Sequence, residues 1–78
     1  MIIYLHPMNY AGIAAPEQLD KVIEEIREFR EATTLEDVAE EAFDVIQALT
    51  GYLITLGVDL NVANRRHVEK LRGRERGR

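Results

Sequence analysis

Apolar side chains recur every three or four residues from Leu35 to Leu56, and this long stripe constrains the fold more than any other feature of the chain. At about 100° per residue, the spacing places these side chains along one side of a long α-helix. A shorter stripe predicts an earlier helix from about Pro16 to Glu31. Because only residues 32–34 separate the two stripes, the sequence predicts an antiparallel helical hairpin.

Cap residues predict where the second helix begins and ends and where a third helix follows. Thr33 and Thr34 are typical N-cap residues for the second helix. Gly57 is expected to terminate that helix, and Asp59 is a typical N-cap for a third helix that continues to about Leu71. The expected fold class is all-α: a helical hairpin plus a third helix, forming four-helix-type bundles by oligomerisation.

The length of the chain makes a stable monomer difficult. Its 78 residues form one domain, and a domain of this size buries only about 60–65% of its unfolded surface. The chain has no cysteine and offers no Cys/His zinc motif, so assembly is the remaining common source of stability. We therefore expect a homodimer or homotetramer. Gly51, inside the second helix, indicates that another helix packs closely there, which we favour, or that the helix bends.

Residues 1–16 are predicted to form an N-terminal arm, because their Pro and Gly residues favour extended or turning backbone. His6, Asn9 and Tyr10 can line a base pocket, since a ring stacks on a nucleobase and an amide reads its edge. Ordinary packing of the arm is the interpretation that we favour. The first apolar residues lack the basic start of a signal peptide, and no apolar run approaches the length of a membrane span. We expect a soluble, cytoplasmic protein.

Acidic and basic residues lie in different parts of the sequence. Residues 17–44 carry eleven of the fourteen acidic residues, whereas residues 65–78 carry seven of the ten basic ones, and the net charge is −4. We expect residues 73–78 to be a disordered, solvated basic end. Nucleic-acid binding through this end is an alternative function, although the overall acidity argues against it.

Two acidic pairs at helical spacing, Glu25-x-x-Glu28 and Glu41-x-x-Asp44, fall on the two helices of the predicted hairpin. Carboxylates that converge on one place repel each other strongly unless a cation lies between them. Their hard oxygen atoms suit Mg²⁺ or Mn²⁺. A solvated acidic face is the alternative interpretation.

The pattern resembles the MazG-like all-α nucleoside triphosphate pyrophosphohydrolases. The resemblance rests on the two acidic pairs, on the twelve-residue spacer between them, and on the flanking residues Gln18, Lys21, Glu24 and Glu40. It implies that residues 17–72 form a MazG-like helical domain. The implied activity is hydrolysis of a nucleoside or deoxynucleoside triphosphate to the monophosphate and pyrophosphate. A non-catalytic oligomeric module that keeps the same scaffold is an alternative.

The resemblance also implies roles for individual residues. The implied ligands of Mg²⁺, or of Mn²⁺, are Glu25, Glu28, Glu41 and Asp44. Glu24 adjoins them without repeating their spacing, and it is the candidate for a base that activates water or for a hydrogen-bond acceptor behind the ligands. The implied contacts to phosphate or sugar are Lys21, Asn64, Arg66 and Lys70. For Lys21, an ordinary ion pair with Glu25 is the alternative.

Overall fold

The computed structural model describes residues 3–77, which form three α-helices and no strand. Helix α1 spans Ala15–Glu31, α2 spans Leu35–Thr55 and α3 spans Leu60–Arg76. The predicted all-α class and the order of the three helices are confirmed. Three residues of the predicted arm and basic end lie outside the described part: Met1, Ile2 and Arg78.

The helix boundaries follow from the cap residues that the sequence supplies. Thr34 Oγ1 accepts a hydrogen bond from the Asp37 backbone N–H at 3.1 Å, so Thr34 caps α2. The Asp59 carboxylate accepts hydrogen bonds from two backbone N–H groups in the first turn of α3, including that of Val62 at 3.1 Å. Gly57 has φ of 74°, a left-handed conformation that ends α2 and that glycine adopts without strain. These cap predictions are confirmed.

Helix α3 continues beyond its predicted end near Leu71, and the prediction that residues 73–78 form a disordered end is wrong as far as Arg76. Arginine is a good helix former, and Arg72 Nη1 pairs with Glu69 Oε1 one turn earlier at 3.2 Å. Basic residues in the last turn also interact favourably with the helix dipole. These local terms offset the low helix propensity of Gly73.

The hairpin of α1 and α2 has a very small interior. The apolar residues that are buried among those described are Tyr10 in the arm, Val22 in α1 and Ala48 in α2. A buried hydrogen bond also joins the two helices, because Gln18 Nε2 donates to the Ala48 carbonyl oxygen at 3.1 Å. This contact fixes the start of α1 against the second half of α2.

The arm, not a helix, packs closely against Gly51. A Cβ atom placed on Gly51 would lie 2.7 Å from Tyr10 Oη and would overlap the Tyr10 ring. The expectation that another helix packs at this glycine is therefore wrong within residues 3–77. The sequence signalled a close approach at Gly51 but not which segment makes it.

Helix α3 turns away from the hairpin, at an angle of 119° to α2. Its first two turns border an open cleft with the arm and α2, whereas its later residues are exposed. Among the described residues, no single helix combines the length and apolar character needed to cross a membrane, although the bent pair of α2 and α3 meets those criteria jointly. The expected cytoplasmic location remains a prediction.

Candidate functional site

Three carboxylates from the two acidic motifs converge. One oxygen from each of Glu25, Glu28 and Glu41 lies within 4.8 Å of the others. Glu25 and Glu28 project from successive turns of the same side of α1, and Glu41 faces them from α2. We call these three residues the acidic cluster. The antiparallel hairpin thus brings the two motifs together as the sequence predicted.

Two oxygens of the acidic cluster lack a hydrogen-bond donor. Glu25 Oε2 and Glu41 Oε2 are buried and have no partner among the described residues. Buried carboxylate oxygens are nearly always paired, because leaving them without a partner is costly. A hard divalent cation such as Mg²⁺ or Mn²⁺ would satisfy these oxygens and neutralise the cluster. The donor set therefore fits such an ion.

Mutual repulsion changes the proton affinity of the acidic cluster. The negative charge of Glu25 is the main cause that raises the pKa of Glu28 above that of an ordinary glutamate. Loss of solvation raises the pKa of Glu41, with further contributions from the charges of Asp44, Glu28 and Glu25. Both shifts mean that the ionised cluster is unfavourable without a compensating positive charge.

Asp44, the fourth predicted ligand, lies beside the acidic cluster and not within it. After loss of solvation, the charge of Asp44 is the next largest cause of the raised pKa of Glu41, so the two carboxyl groups are close. Asp44 is more exposed than Glu41 and borders a cavity together with Glu25. It can complete a ligand set from the edge of the site.

Lys21 is the positive charge nearest to the acidic cluster. Its Nζ lies 3.0 Å from Glu25 Oε1 and 3.6 Å from Glu24 Oε2, and its side chain remains half exposed. The hydrogen bond to Glu25 is the largest of the contributions that raise the pKa of Lys21. The predicted ion pair with Glu25 is present, and the exposed ammonium group can also face an anionic ligand. Glu24 lies outside the acidic cluster and is exposed.

A cavity of about 230 Å³ adjoins these charged groups. Its charged rim consists of Lys21, Glu25 and Asp44, and its apolar part includes Met8, Tyr10, Ile13 and Ala48, with Gln18 and Gln47 between the two. The arm therefore forms one wall of the cavity. His6 and Asn9, which the sequence suggested for a base pocket, are exposed and do not line it.

The substrate contacts predicted on α3 lie apart from this cavity. Asn64 borders the cleft between α3, α2 and the arm, and Arg66 borders a shallow depression at the start of α3. Lys70 is exposed and lines neither of these. In one chain, the structure does not bring these side chains to the acidic cluster.

Sequence reasoning missed Gln47, although a signal was present. Gln47 follows Asp44 by three residues, as Asp44 follows Glu41, so the three side chains lie along neighbouring positions of α2. Met8 and Ile13 gave no comparable signal, because the irregular backbone of the arm has no periodicity from which to infer a common face.

An all-α chain whose antiparallel helix pair gathers carboxylates agrees with what the resemblance to the MazG-like all-α pyrophosphohydrolases implies. A family model narrows this class, since the model described as Phosphoribosyl-ATP pyrophosphohydrolase matches residues 9–70. The match covers most of the chain, which therefore belongs to the phosphoribosyl-ATP pyrophosphohydrolase family. MazG itself is not singled out by the match. No curated protein and no solved structure matches the chain significantly.

Proposed function

We propose that the protein is a Mg²⁺-dependent pyrophosphohydrolase that cleaves the triphosphate of an adenine nucleotide to the monophosphate and pyrophosphate. The observation that carries the proposal is the acidic cluster, with its two buried oxygens that lack a donor. Membership of the phosphoribosyl-ATP pyrophosphohydrolase family supports the type of bond cleaved and a phosphoribosyl-ATP-like substrate. In the reaction, water hydrolyses the anhydride between the α- and β-phosphorus atoms. One P–O bond of the bridge breaks, the water oxygen bonds to the released phosphorus, and the products are the monophosphate and pyrophosphate.

The acidic cluster and Asp44 would hold the ion, with Mn²⁺ as a possible substitute. When bound, Mg²⁺ neutralises and orients phosphate oxygens and lowers the pKa of coordinated water. The chain's own contribution is to fix four carboxylates on two rigid helices at the edge of a cavity. Within residues 3–77, no other part of the chain gathers three acidic side chains in this way.

Two residues of α1 beside the acidic cluster have proposed roles in the reaction. The ammonium group of Lys21 would bind a phosphate oxygen, because it is half exposed and lies at the rim of the cavity. Glu24 would accept the proton of the attacking water, and its exposure keeps it accessible to solvent. Lys21 lies between Glu24 and Glu25 and can exchange its contacts with them for a contact to substrate.

We also propose that the active form is a homodimer or homotetramer. Leu19, Ile23 and Ile26 follow one another at helical spacing on α1 and are 38%, 41% and 41% exposed. Phe43 and Leu49 on α2 are similarly exposed. Apolar surface of this extent is unusual on a soluble monomer and is typical of an interface. A second copy would cover it, as in a four-helix bundle.

In such an assembly, Asn64, Arg66 and Lys70 would reach the substrate bound by another copy. Helix α3 turns 119° from α2 and leaves its basic side chains in solvent. Basic groups are needed to balance the charge that develops on pyrophosphate as it leaves. Placing the acids on one chain and these bases on its neighbour satisfies that need without a rearrangement of the hairpin.

The direct test incubates the protein with Mg²⁺ and a panel that contains phosphoribosyl-ATP and the common ribo- and deoxyribonucleoside triphosphates. Chromatography should resolve a monophosphate plus pyrophosphate from a diphosphate plus orthophosphate. We expect the first pair, with the highest kcat/KM for an adenine-containing substrate. Release of orthophosphate without pyrophosphate would contradict the assigned bond. No turnover of any substrate, with no effect of Mg²⁺ on the melting temperature, would favour the non-catalytic module.

A further inference from the structure

The arm is held on α2 by one amide side chain. Gln47 Oε1 accepts the backbone N–H of His6 at 2.9 Å, and Gln47 Nε2 donates to the His6 carbonyl oxygen at 3.0 Å. The same Nε2 donates to Tyr10 Oη at 3.1 Å. The amide thus pairs with the backbone of the arm as a neighbouring strand would, and it also binds the side chain of Tyr10, four residues further along the arm.

A second, steric contact fixes the same part of the arm. The Tyr10 ring is buried and lies directly over Gly51, where any side chain on α2 would displace it. Gln47 and Gly51 are four residues apart and therefore lie on one side of α2. Two independent features of α2 thus position residues 6–10: the hydrogen bonds of the Gln47 side chain, and the absence of a side chain on Gly51.

The positioned arm provides the apolar wall of the cavity next to the acidic cluster. Met8, Tyr10 and Ile13 all belong to the arm, and they face the rim formed by Lys21, Glu25 and Asp44. The volume of about 230 Å³ is below the roughly 300–1,000 Å³ of sites that enclose a whole ligand. The cavity can therefore enclose only one part of a nucleotide, and its apolar wall suits the flat ring system.

We infer that Gln47 is a positioning residue: by holding the arm, it builds the surface of Met8, Tyr10 and Ile13 on which the nucleobase of the substrate rests. This inference rests on the proposed function, because it assigns the triphosphate to the side of the acidic cluster. A nucleotide bound in this way has its ring against the arm and its phosphates near Lys21 and the carboxylates. The polypeptide preceding α1 then sets which ring the site accepts.

Two substitutions displace the arm by different means and should have the same kinetic effect. Gln47→Leu keeps the volume of the side chain but removes its three hydrogen bonds to the arm. Gly51→Ala introduces a better helix former and pushes the Tyr10 ring away. Loss of an apolar contact in a substrate pocket costs about 10–200-fold in discrimination. We expect KM for ATP to rise at least about tenfold with kcat nearly unchanged.

Inorganic tripolyphosphate separates this role from a general structural one, because it has the phosphates without the ring. Its KM should be the same in the parent, Gln47→Leu and Gly51→Ala. Gly73→Ala is the matched control for the glycine change, since a Cβ on Gly73 meets nothing within 4 Å. Unchanged KM for ATP in both arm variants would overturn the inference. Equal increases for ATP and tripolyphosphate would overturn it as well, because the arm would then affect the whole site.

A binding measurement without Mg²⁺ tests the arm even if the protein hydrolyses nothing. Methyl NMR of the protein labelled at methionine should show a shift of the Met8 signal on titration with AMP, and none with ribose 5-phosphate. The AMP effect should weaken in Gln47→Leu. A Met8 signal that AMP leaves in place would overturn the inference, whereas absence of hydrolysis with this AMP effect intact would overturn only the proposed reaction.

Discussion

At the scale of single residues, the acidic cluster is a set of charges that destabilise one another. Burial of Glu41 and the charge of Glu25 beside Glu28 both raise pKa values, and Lys21 compensates only the side of Glu25. The site is therefore prepared for a cation at the expense of the folded protein's stability in its absence. Substitutions that remove one charge should separate these two properties.

We expect Glu41→Gln and Asp44→Asn each to abolish triphosphate hydrolysis, because an amide keeps the shape of the side chain but not the charge that binds a hard cation. Added Mg²⁺ should raise the melting temperature of the parent, since a ligand that binds only the folded state stabilises it. It should raise that of the variants less. Calorimetry and the hydrolysis assay measure the two effects.

The exposed residues Glu17 and Glu36 provide matched controls for these variants. Glu17→Gln and Glu36→Gln remove the same charge from α1 and α2 outside the acidic cluster, so they should change neither hydrolysis nor the response to Mg²⁺. If Glu41→Gln retains parental activity, the cluster is a solvated acidic face and not a metal site.

Protonation of Glu41 should contribute to the pH dependence of the protein's stability. Its pKa is raised on folding, so the folded state binds the proton more tightly than the unfolded state does. The resulting stabilisation is complete below the unfolded pKa of glutamate and is lost as the pH rises through the raised folded pKa. In buffer without metal, the melting temperature of the parent should therefore fall across this window relative to that of Glu41→Gln. Parallel curves for the two proteins would contradict the assignment.

Spacing in the sequence was sufficient to predict the acidic cluster but not the cavity beside it. Glu25 and Glu28 lie on a regular helix, where a three-residue interval defines a direction in space. Met8 and Ile13 lie on irregular backbone, where the position of each residue depends on tertiary contacts such as that of Gln47 with His6. The contact of Gln47 with His6 joins residues 41 positions apart. Local sequence propensities do not predict contacts over such a separation.

At the scale of the elements, α3 extends a basic surface to Arg76 without packing against the acidic cluster. Deletion of residues 73–78 should leave triphosphate hydrolysis nearly unchanged, because residues 73–76 of α3 are exposed and the deletion keeps Lys70. The same assay of kcat/KM measures this effect. If the deletion instead abolishes the only measurable activity, and that activity is salt-sensitive binding to DNA or RNA, the nucleic-acid-binding alternative is correct.

Local signals were good predictors of where the helices begin, but poorer predictors of which segments pack together and of where α3 ends. Thr34 and Asp59 fix N-termini through hydrogen bonds within their own first turns, and such short-range chemistry is readable from sequence. The partner of Gly51 was not readable, because a glycine permits close approach by any segment. The end of α3 was predicted too early, since the contribution of Arg72 and Glu69 was omitted.

At the scale of the whole molecule, most of the large apolar side chains within residues 3–77 are partly exposed in one chain. We expect an oligomer in light scattering or ultracentrifugation at micromolar concentration, with a melting temperature that rises with protein concentration. Ile23→Glu should shift the protein towards a monomer and lower its stability, because Ile23 lies in the exposed apolar stripe of α1. A stable monomeric parent would remove the bundle proposal.

Mixing two inactive variants tests whether a site takes residues from two copies. One chain carries Glu41→Gln, and the other carries Arg66→Ala with Lys70→Ala. If acids and bases come from different chains of a dimer, half of the dimers are mixed and each has one intact site, so about a quarter of parental activity should return. The two variants are unfolded, mixed in equal amounts and refolded together, and in the controls each variant is refolded alone. If mixing restores nothing, the residues of α3 act within their own chain, and an active Arg66→Ala, Lys70→Ala variant would show that they do not act at all.

The long separation between Gln47 and the segment that it holds also has a consequence for the order in which the chain folds. The hairpin closes across only residues 32–34, whereas seating the arm joins His6 to a residue 41 positions away. Closing a longer loop costs more entropy, and contacts between distant residues form more slowly. We expect pulse-labelled hydrogen exchange to show α1 and α2 protected before the His6 amide. A folding chain would then acquire its repelling carboxylates first and the wall beside them last. Under the proposed function, newly made protein would pass through a state able to hold a cation before it could select a nucleotide.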